Sequence, residues 1–223
     1  MTSIDTDTRV ERVTKLLINE INSKVYESGE KLPSIEQLSV MLGAGRSTVR
    51  EAIKELQTLG VLVIKHGGGT YVCEYEDSSP NSSFYQQTLE SRRCVETFCA
   101  KNAALKQNDT LIEGLRRLYD EMNEHIKRGD TDAFVECDRR FHYRITRFES
   151  NVLLIKYHTS LDLLFQNMQN RIVAIEGSPE RAQEDHKRII DAIASHNAEK
   201  AVEAVERHFA SISNQLQSQE KQH

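Results

Sequence analysis

The sequence predicts a mainly α protein: an N-terminal winged helix-turn-helix with a small β-hairpin, then a C-terminal antiparallel all-α bundle of about six helices. Two amphipathic helical patterns separated by a glycine-bearing turn occupy residues 34–60. A β-branched run, three glycines and a second short β-prone run follow over residues 61–73. From residue 84 the chain keeps a helical period with regular breaks and shows no strand pattern.

These changes of pattern set the predicted domain boundaries. Residues 1–73 form the winged domain, 74–83 the linker, 84–217 the helical domain and 218–223 a frayed tail. The linker is assigned from its composition, because it is polar and contains a proline and four serines. A chain of 223 residues is long enough for two such domains.

Composition excludes several classes of protein. The chain is 38% hydrophobic and 28% charged, with a formal net charge of −5, as in ordinary soluble proteins rather than disordered ones. No apolar run is long enough to span a membrane, and the polar, acidic N-terminus is unlike a signal peptide. The four cysteines form no C-x-x-C pair, which favours a reduced, cytoplasmic protein.

The first three helices form the predicted helix-turn-helix. Residues 8–23 keep a helical period, and Ser34 starts a second helix with the S-x-x-Q form of a capping box that ends at Gln37. That helix stops at Gly43, and a third follows with one apolar stripe. The stripe consists of Val49, Ala52, Ile53, Leu56 and Leu59.

The third helix has the chemistry of a DNA-reading helix. Arg46, Arg50 and Lys54 recur at i, i+4 on one polar side, and Ser47 and Thr48 add hydroxyls at its start. These side chains suit a DNA major groove, although a solvated charged face gives the same pattern. Four basic residues against two acidic ones between positions 44 and 72 favour a local positive patch.

A hairpin after this helix completes the predicted winged fold. Two short β-prone runs, 61–64 and 70–73, flank Lys65 to Gly69, which includes three consecutive glycines. Glycines let backbone amides approach a phosphate or enter a minor groove, although glycine-rich hairpin tips are also common without that role.

The second half predicts six helices joined by short connections, and hence antiparallel neighbours. Each break carries an N-cap residue, a glycine or a proline. The predicted helices span 84–106, 109–128, 130–148, 151–175, 179–196 and 198–217.

One carboxylate and three histidines in this bundle form a candidate metal site. Asp138 and His142 share a helix face at i, i+4, and His186 and His208 each adjoin an apolar stripe on a later helix. Together they suit a divalent transition metal: zinc first, with nickel or manganese as alternatives. Singly, each is more often a hydrogen-bonded core residue. The remaining histidines, His125, His158, His196 and His223, are expected to be solvated.

The first 73 residues resemble the winged-helix domain of GntR-type transcription regulators. The resemblance rests on Gly29 to Ser34, Arg46 to Ala52, Leu56 to Gly60 and Gly69 to Val72. It implies a homodimer that binds a pseudo-palindromic operator in double-stranded DNA, more often as a repressor. Matching residues touch DNA from the recognition helix and from the wing. They are Arg46, Ser47, Thr48 and Arg50, then His66 and Gly67.

Residues 84–216 resemble the all-helical effector domain of the FadR subfamily. The matching segments are Arg92 to Glu96, Asp138 to His142, Asn151, Asp185 to Ile193, and Ala201 with His208.

The FadR resemblance implies a site for a metal and an effector. Asp138, His142, His186 and His208 match the residues that bind a divalent metal in the metal-containing branch of this subfamily. It also implies a small carboxylate effector, which would bind at the metal and pair with Arg92 or, as second choice, Arg93.

Two departures from the family pattern concern DNA recognition. Glu36 stands where the family commonly has an arginine, and Gly45 where it commonly has an N-capping serine. Both predict altered operator contacts rather than lost DNA binding, because glycine still serves as an N-cap.

Two other functions fit the same residues. A three-histidine, one-aspartate metal could activate water in a metal-dependent hydrolase with an appended DNA-binding head. However, the chain has no H-E-x-x-H motif and no evident general base, so a non-enzymatic regulator is predicted. Alternatively, the metal is structural and the protein is an effector-insensitive DNA-binding dimer.

Overall fold

The computed structural model describes residues 8–73, apart from Lys24 and His66, and residues 83–220. The chain divides into two compact units between Asp77 and Ser78. The predicted linker, 74–83, lies outside the described residues except for Ser83.

The first unit begins with three helices: α1 (Arg9–Asn22), α2 (Ile35–Met41) and α3 (Arg46–Thr58). Helices α1 and α2 both pack on α3, whose predicted stripe is buried from Val49 to Leu56. The capping box at Ser34 is present, since the Ser34 hydroxyl accepts from the Gln37 amide and the Gln37 side chain accepts from the Ser34 amide. Buried N-cap and stripe residues therefore fix how α3 presents its opposite face.

The wing is an antiparallel hairpin of β1 (Leu62–Lys65) and β2 (Gly69–Val72). Residues 29–32 extend it, because the Leu32 amide donates to the Thr70 carbonyl and the Val72 amide donates to the Glu30 carbonyl, each at 2.9 Å. The turn uses Gly67 and Gly69 with φ of +71° and +109°, which glycine adopts without strain.

The second unit consists of six helices, consistent with the predicted bundle. They are α4 (Ser83–Lys106), α5 (Asp109–Arg128), α6 (Thr131–Phe148), α7 (Val152–Val173), α8 (Ser178–Ala194) and α9 (Ala198–Glu220). Asn108, Asp130 and Asn151 cap α5, α6 and α7 with their side chains. The predicted fold class, a winged helix-turn-helix with an all-α bundle, is thus confirmed.

Helix α4 is central to the bundle, because it packs against α6, α7, α8 and α9. Its buried face carries the small residues Cys99, Ala100, Ala103 and Ala104, which let neighbouring helices approach closely. Within the described part of the chain, no helix is long and apolar enough to cross a membrane.

Candidate functional site

Three histidines converge in the core of the helical unit. His142 lies on α6, His186 on α8 and His208 on α9. Their ring centroids are 5.0 to 5.2 Å apart, and one ligand nitrogen from each lies within 4.8 Å of the others. The sequence-predicted histidines therefore form one cluster although they come from three helices.

Asp138 completes the cluster one helical turn before His142. Its Oδ1 lies 3.1 Å from His186 Nε2 and 3.8 Å from His142 Nε2, while its Oδ2 accepts a hydrogen bond from the Gln169 amide. None of the four predicted ligands exposes more than 7% of its surface. The structure thus brings together all four residues of the predicted metal site.

Two ring nitrogens in this cluster test whether a metal fits. His186 Nε2 and His208 Nδ1 are buried and find no hydrogen-bond partner among the described residues, and the contact of His186 Nε2 with Asp138 is not aligned as a hydrogen bond. Buried polar atoms are normally partnered, and a metal ion would satisfy both nitrogens. Three imidazoles and one carboxylate are a donor set that suits divalent transition metals.

Outer residues orient two of the histidine rings. His142 Nδ1 lies 2.6 Å from Glu96 Oε2, and His186 Nδ1 lies 3.0 Å from Gln183 Oε1. Because each acceptor favours a proton on Nδ1, Nε2 is left with its lone pair towards the cluster. Gln183 is itself held by the carbonyl of Tyr119 at 2.8 Å.

Burial and the surrounding charges give these groups unequal pKa values. Burial lowers the pKa of both His186 and His208, and for His208 the neighbouring histidines lower it further. For His142, burial is outweighed by Glu96 and Asp138, which raise the pKa. For Asp138, burial is outweighed by His142 and then His186, which hold the carboxyl pKa well below its usual value. The site therefore contains a carboxylate and two neutral imidazoles at neutral pH, which are the metal-binding forms.

A pocket of roughly 460 Å³, part of it open to solvent, borders this cluster. Its polar lining at the cluster includes Arg92, Asp138, His142, Gln169 and His208. Arg92 is 2% exposed, pairs with Glu96 through Nη2 at 2.8 Å, and lies over the Phe165 ring at 4.4 Å. A buried guanidinium beside a metal-type site is a natural partner for a carboxylate.

Arg93, the second candidate for effector binding, points elsewhere. It pairs with Glu206 at 2.7 Å on a half-exposed surface and does not line the pocket. The structure therefore separates the two arginines that the sequence places side by side, because adjacent residues on a helix point about 100° apart.

Sequence reasoning missed several residues that support the site. His158 was expected to be solvated, which is wrong: it is 1% exposed, and its Nε2 lies 3.2 Å from Glu96 Oε1. Its sequence neighbours Lys156 and Tyr157 are exposed, which conceals the buried face of α7. The available signal was the helical spacing of His158, Asp162, Phe165 and Gln169, which all face the bundle.

The predicted DNA-contacting residues of α3 lie on its surface. Arg46, Ser47 and Arg50 are exposed and Thr48 is half-buried. Gly45 caps α3 without a side-chain hydrogen bond. Arg46 Nη1 lies 3.9 Å from Glu36 Oε1, so the acidic departure in α2 is next to the first arginine of α3.

The wing adds two lysines around one aromatic ring. Lys65 Nζ lies 4.5 Å and Lys31 Nζ 5.9 Å from the centroid of Tyr71. Gly67 is exposed at the hairpin turn, while the predicted contact His66 lies outside the described residues.

These features define a class: a two-domain protein that combines a winged helix-turn-helix with a helical domain around a candidate metal pocket. Residues 9–72 match the gntR family of bacterial regulatory proteins, and residues 87–211 match the FCD domain. The chain belongs to the gntR family of bacterial regulatory proteins and carries an FCD domain as its second half.

Similar proteins span nearly the whole chain. The HTH-type transcriptional regulator LutR of Bacillus subtilis is 30% identical over 211 residues, which cover 88% of this chain and 95% of LutR. The Uxu operon regulator of Haemophilus influenzae is 26% identical, over 90% of this chain and 79% of that protein. The family consists of transcriptional regulators rather than enzymes, so the metallohydrolase alternative is set aside.

A solved structure shares this fold. Escherichia coli McbR/YncC superposes with a TM-score of 0.74 at 15% identity, covering 96% of this chain and 99% of that chain. At that identity the likeness concerns the fold alone.

Proposed function

We propose that this protein is a homodimeric transcriptional regulator that binds a pseudo-palindromic operator and responds to a small carboxylate bound at a divalent metal. The observation that carries the proposal is the buried cluster of Asp138, His142, His186 and His208 beside Arg92, in a chain whose first domain has an exposed DNA-reading helix. The metal would be zinc, nickel or manganese, since all three accept nitrogen and oxygen ligands.

DNA recognition is assigned to the exposed side of α3 and to the wing. Arg46 and Arg50 lie one turn apart and are free to enter a major groove, where a bidentate contact with guanine contributes about 1–3 kcal/mol of discrimination. Ser47 and Thr48 lie at the same end of α3, and Gly67 at the hairpin turn allows close approach to the DNA backbone. His66 remains a proposed wing contact from sequence alone.

The exposed apolar residues of the helical unit suggest where two copies meet. Among its described residues, the large apolar side chains that are exposed lie on only two helices, which pack on each other. They are Phe98 and Leu105 on α4, and Val152, Leu153 and Tyr157 on α7. Contiguous apolar surface of this kind is typical of an interface, and a twofold dimer matches the symmetry of a palindromic operator.

Effector binding is assigned to the pocket. A metal held by the four ligands would supply open coordination positions for carboxylate oxygens. Arg92 borders the same pocket, with its charge partly balanced by Glu96, and orients a carboxylate by charge-assisted hydrogen bonds. A carboxylate that binds one arrangement of the regulator better than another shifts operator affinity by that difference.

The DNA-binding assignment is tested with operators selected from random duplexes by the full-length protein. Arg50→Ala is expected to lower operator affinity about 10-fold or more in a gel-shift assay, because it removes a base or phosphate contact. Arg117→Ala is the matched control, since Arg117 is an exposed arginine of the helical unit. Unchanged affinity of Arg50→Ala would show that α3 is not the recognition helix.

The metal assignment is tested by elemental analysis of untagged protein. Wild-type protein is expected to contain about one first-row metal per chain, and His186→Asn to lose it because a ligand is removed. His196→Asn is the control, because His196 is exposed and its φ of +55° is tolerated by asparagine. Wild-type protein that excludes zinc, nickel and manganese after incubation contradicts the metal site.

A further inference from the structure

The pocket extends well beyond the metal cluster. On α8, Ser178 borders the pocket eight residues before His186, and on α9 Gln215 borders it seven residues after His208. At about 1.5 Å per residue, these spacings place the far end roughly 10–12 Å from the cluster. A carboxylate of two or three carbons held at the cluster would leave most of that length unfilled.

The middle of the pocket is apolar. Phe134, Ile172, Ala182 and Ile212 line it between the two ends. Asp185 also borders it, but its Oδ1 already pairs with Arg188 at 2.9 Å. A chain of hydroxylated carbons would lose hydrogen bonds to water against these walls, whereas a methylene chain gains from leaving water.

The far end is polar and carries donors that lack acceptors. Ser178 is the first residue of α8 and only 2% exposed, yet its hydroxyl forms no hydrogen bond with the described residues. Gly177, the N-cap of α8, has no side chain to satisfy the free amides of the first turn. Arg181 adds a positive charge there and donates to Gln215 Oε1 at 3.1 Å.

We propose that this far end is a second carboxylate subsite, formed by Ser178, the first turn of α8 and Arg181. The effector is then a linear dicarboxylate of about six carbons, with one carboxylate at the metal cluster and Arg92 and the other at Ser178. A buried unpaired hydroxyl, a helix N-terminus and a cation within one turn all favour an anion. This inference rests on the proposed effector function of the pocket.

Calorimetric titration of the zinc-loaded full-length protein tests the subsite. Adipate is expected to bind about 10-fold or more tightly than hexanoate, which lacks the second carboxylate, and than succinate, which is too short. Glucarate, which joins the same two carboxylates through hydroxylated carbons, is expected to bind more weakly than adipate. Ser178→Ala is expected to abolish most of the preference for adipate over hexanoate.

Ser195→Ala is the matched control, because Ser195 caps the opposite end of the same helix and its hydroxyl donates to the Ala192 carbonyl. It is expected to keep the adipate preference. If hexanoate binds as tightly as adipate, or if Ser178→Ala keeps the preference, the second subsite is refuted while the metal-end carboxylate site stands. If none of these carboxylates binds zinc-loaded protein, the effector proposal itself fails for this pocket.

Discussion

Glu96 is the residue that joins the effector end of the pocket to the metal cluster. It accepts from Arg92 at 2.9 Å and contacts His142 Nδ1 at 2.6 Å and His158 Nε2 at 3.2 Å. Burial opposes its ionisation, but Arg92 and His142 keep the pKa of its carboxyl well below the usual value. The resulting carboxylate fixes the His142 ring and strengthens it as a ligand.

Glu96→Gln should therefore weaken metal binding. The expected loss is about 10–100-fold in zinc affinity, measured by competition with a chromophoric chelator, because the substitution removes the charge that orients His142. Thermal unfolding of the metal-free variant separates this effect from the cost of leaving Arg92 without a buried partner. Glu206→Gln, on the half-exposed surface beside Arg93, is the control. Equal zinc affinity of Glu96→Gln and wild type would remove Glu96 from the site.

His208 predicts a pH dependence of the metal-free protein. Its pKa is lowered well below the usual value, first by burial and then by His186 and His142. Unfolded protein therefore binds a proton at this position that folded protein does not, so its contribution to stability is present above pH ~6.5 and is lost as the pH falls below it. His186, with a lowered pKa, acts in the same direction, whereas His142, with a raised pKa, acts in the opposite direction.

The measurement is the free energy of unfolding by denaturant at pH 7.0 and 5.5, without metal. Wild type is expected to lose about 1 kcal/mol more than His208→Gln between these pH values, because glutamine has no proton to gain. Equal losses in the two proteins would contradict a neutral, buried His208.

At this scale the sequence revealed the ligands but not their supports. Asp138 and His142 were predictable because a helix places i and i+4 on one face. Glu96, Gln183 and His158 were not, because their partners come from other helices and only the packed bundle brings them together. His208 Nδ1 and the Ser178 hydroxyl stand out only once burial is known.

Helix α7 is the element most directly coupled to the site. Four residues on one side of it reach the cluster or its supports: His158 to Glu96, Asp162 to Arg139, Phe165 to Arg92 and Gln169 to Asp138. Its exposed side carries Val152, Leu153 and Tyr157, part of the proposed dimer surface. A change at the cluster can therefore be passed through α7 to a partner copy.

Hydrogen exchange measures this coupling. Zinc binding is expected to slow amide exchange across the part of α7 between His158 and Gln169, because it fixes Asp138 and His142 and so the contacts that hold α7. Amides of α1, in the winged unit, are the internal reference and should change little. Unchanged exchange in α7, with zinc bound, would show that α7 does not respond to the site.

Element boundaries followed closely from sequence. The predicted helices of the second half agree with the observed ones to within three residues at each end, because Asn108, Asp130 and Asn151 are N-caps. The pairing of residues 29–32 with β2 was not predicted, since it joins segments far apart in sequence whose pattern reads as a turn. Local signals specify helices well and non-local pairing poorly.

For the whole molecule, the account requires a coupling free energy between the pocket and the DNA-reading surface. Allosteric regulators typically couple two sites by 5–150-fold in affinity, and the coupling is reciprocal. Membership in the gntR family supports the regulator, whereas control by a carboxylate at a metal is the part that depends on the cluster of Asp138 and the three histidines. A protein with a purely structural metal would bind DNA without this response.

The most direct test is fluorescence anisotropy of a selected operator duplex with the full-length protein, zinc-loaded and metal-free, across a panel of small mono- and dicarboxylates. The account predicts that at least one carboxylate changes the operator Kd of the zinc-loaded protein by about 5-fold or more, and leaves that of the metal-free protein unchanged. An operator Kd that no carboxylate alters, in protein shown to hold zinc, would contradict it and identify an effector-insensitive DNA-binding dimer.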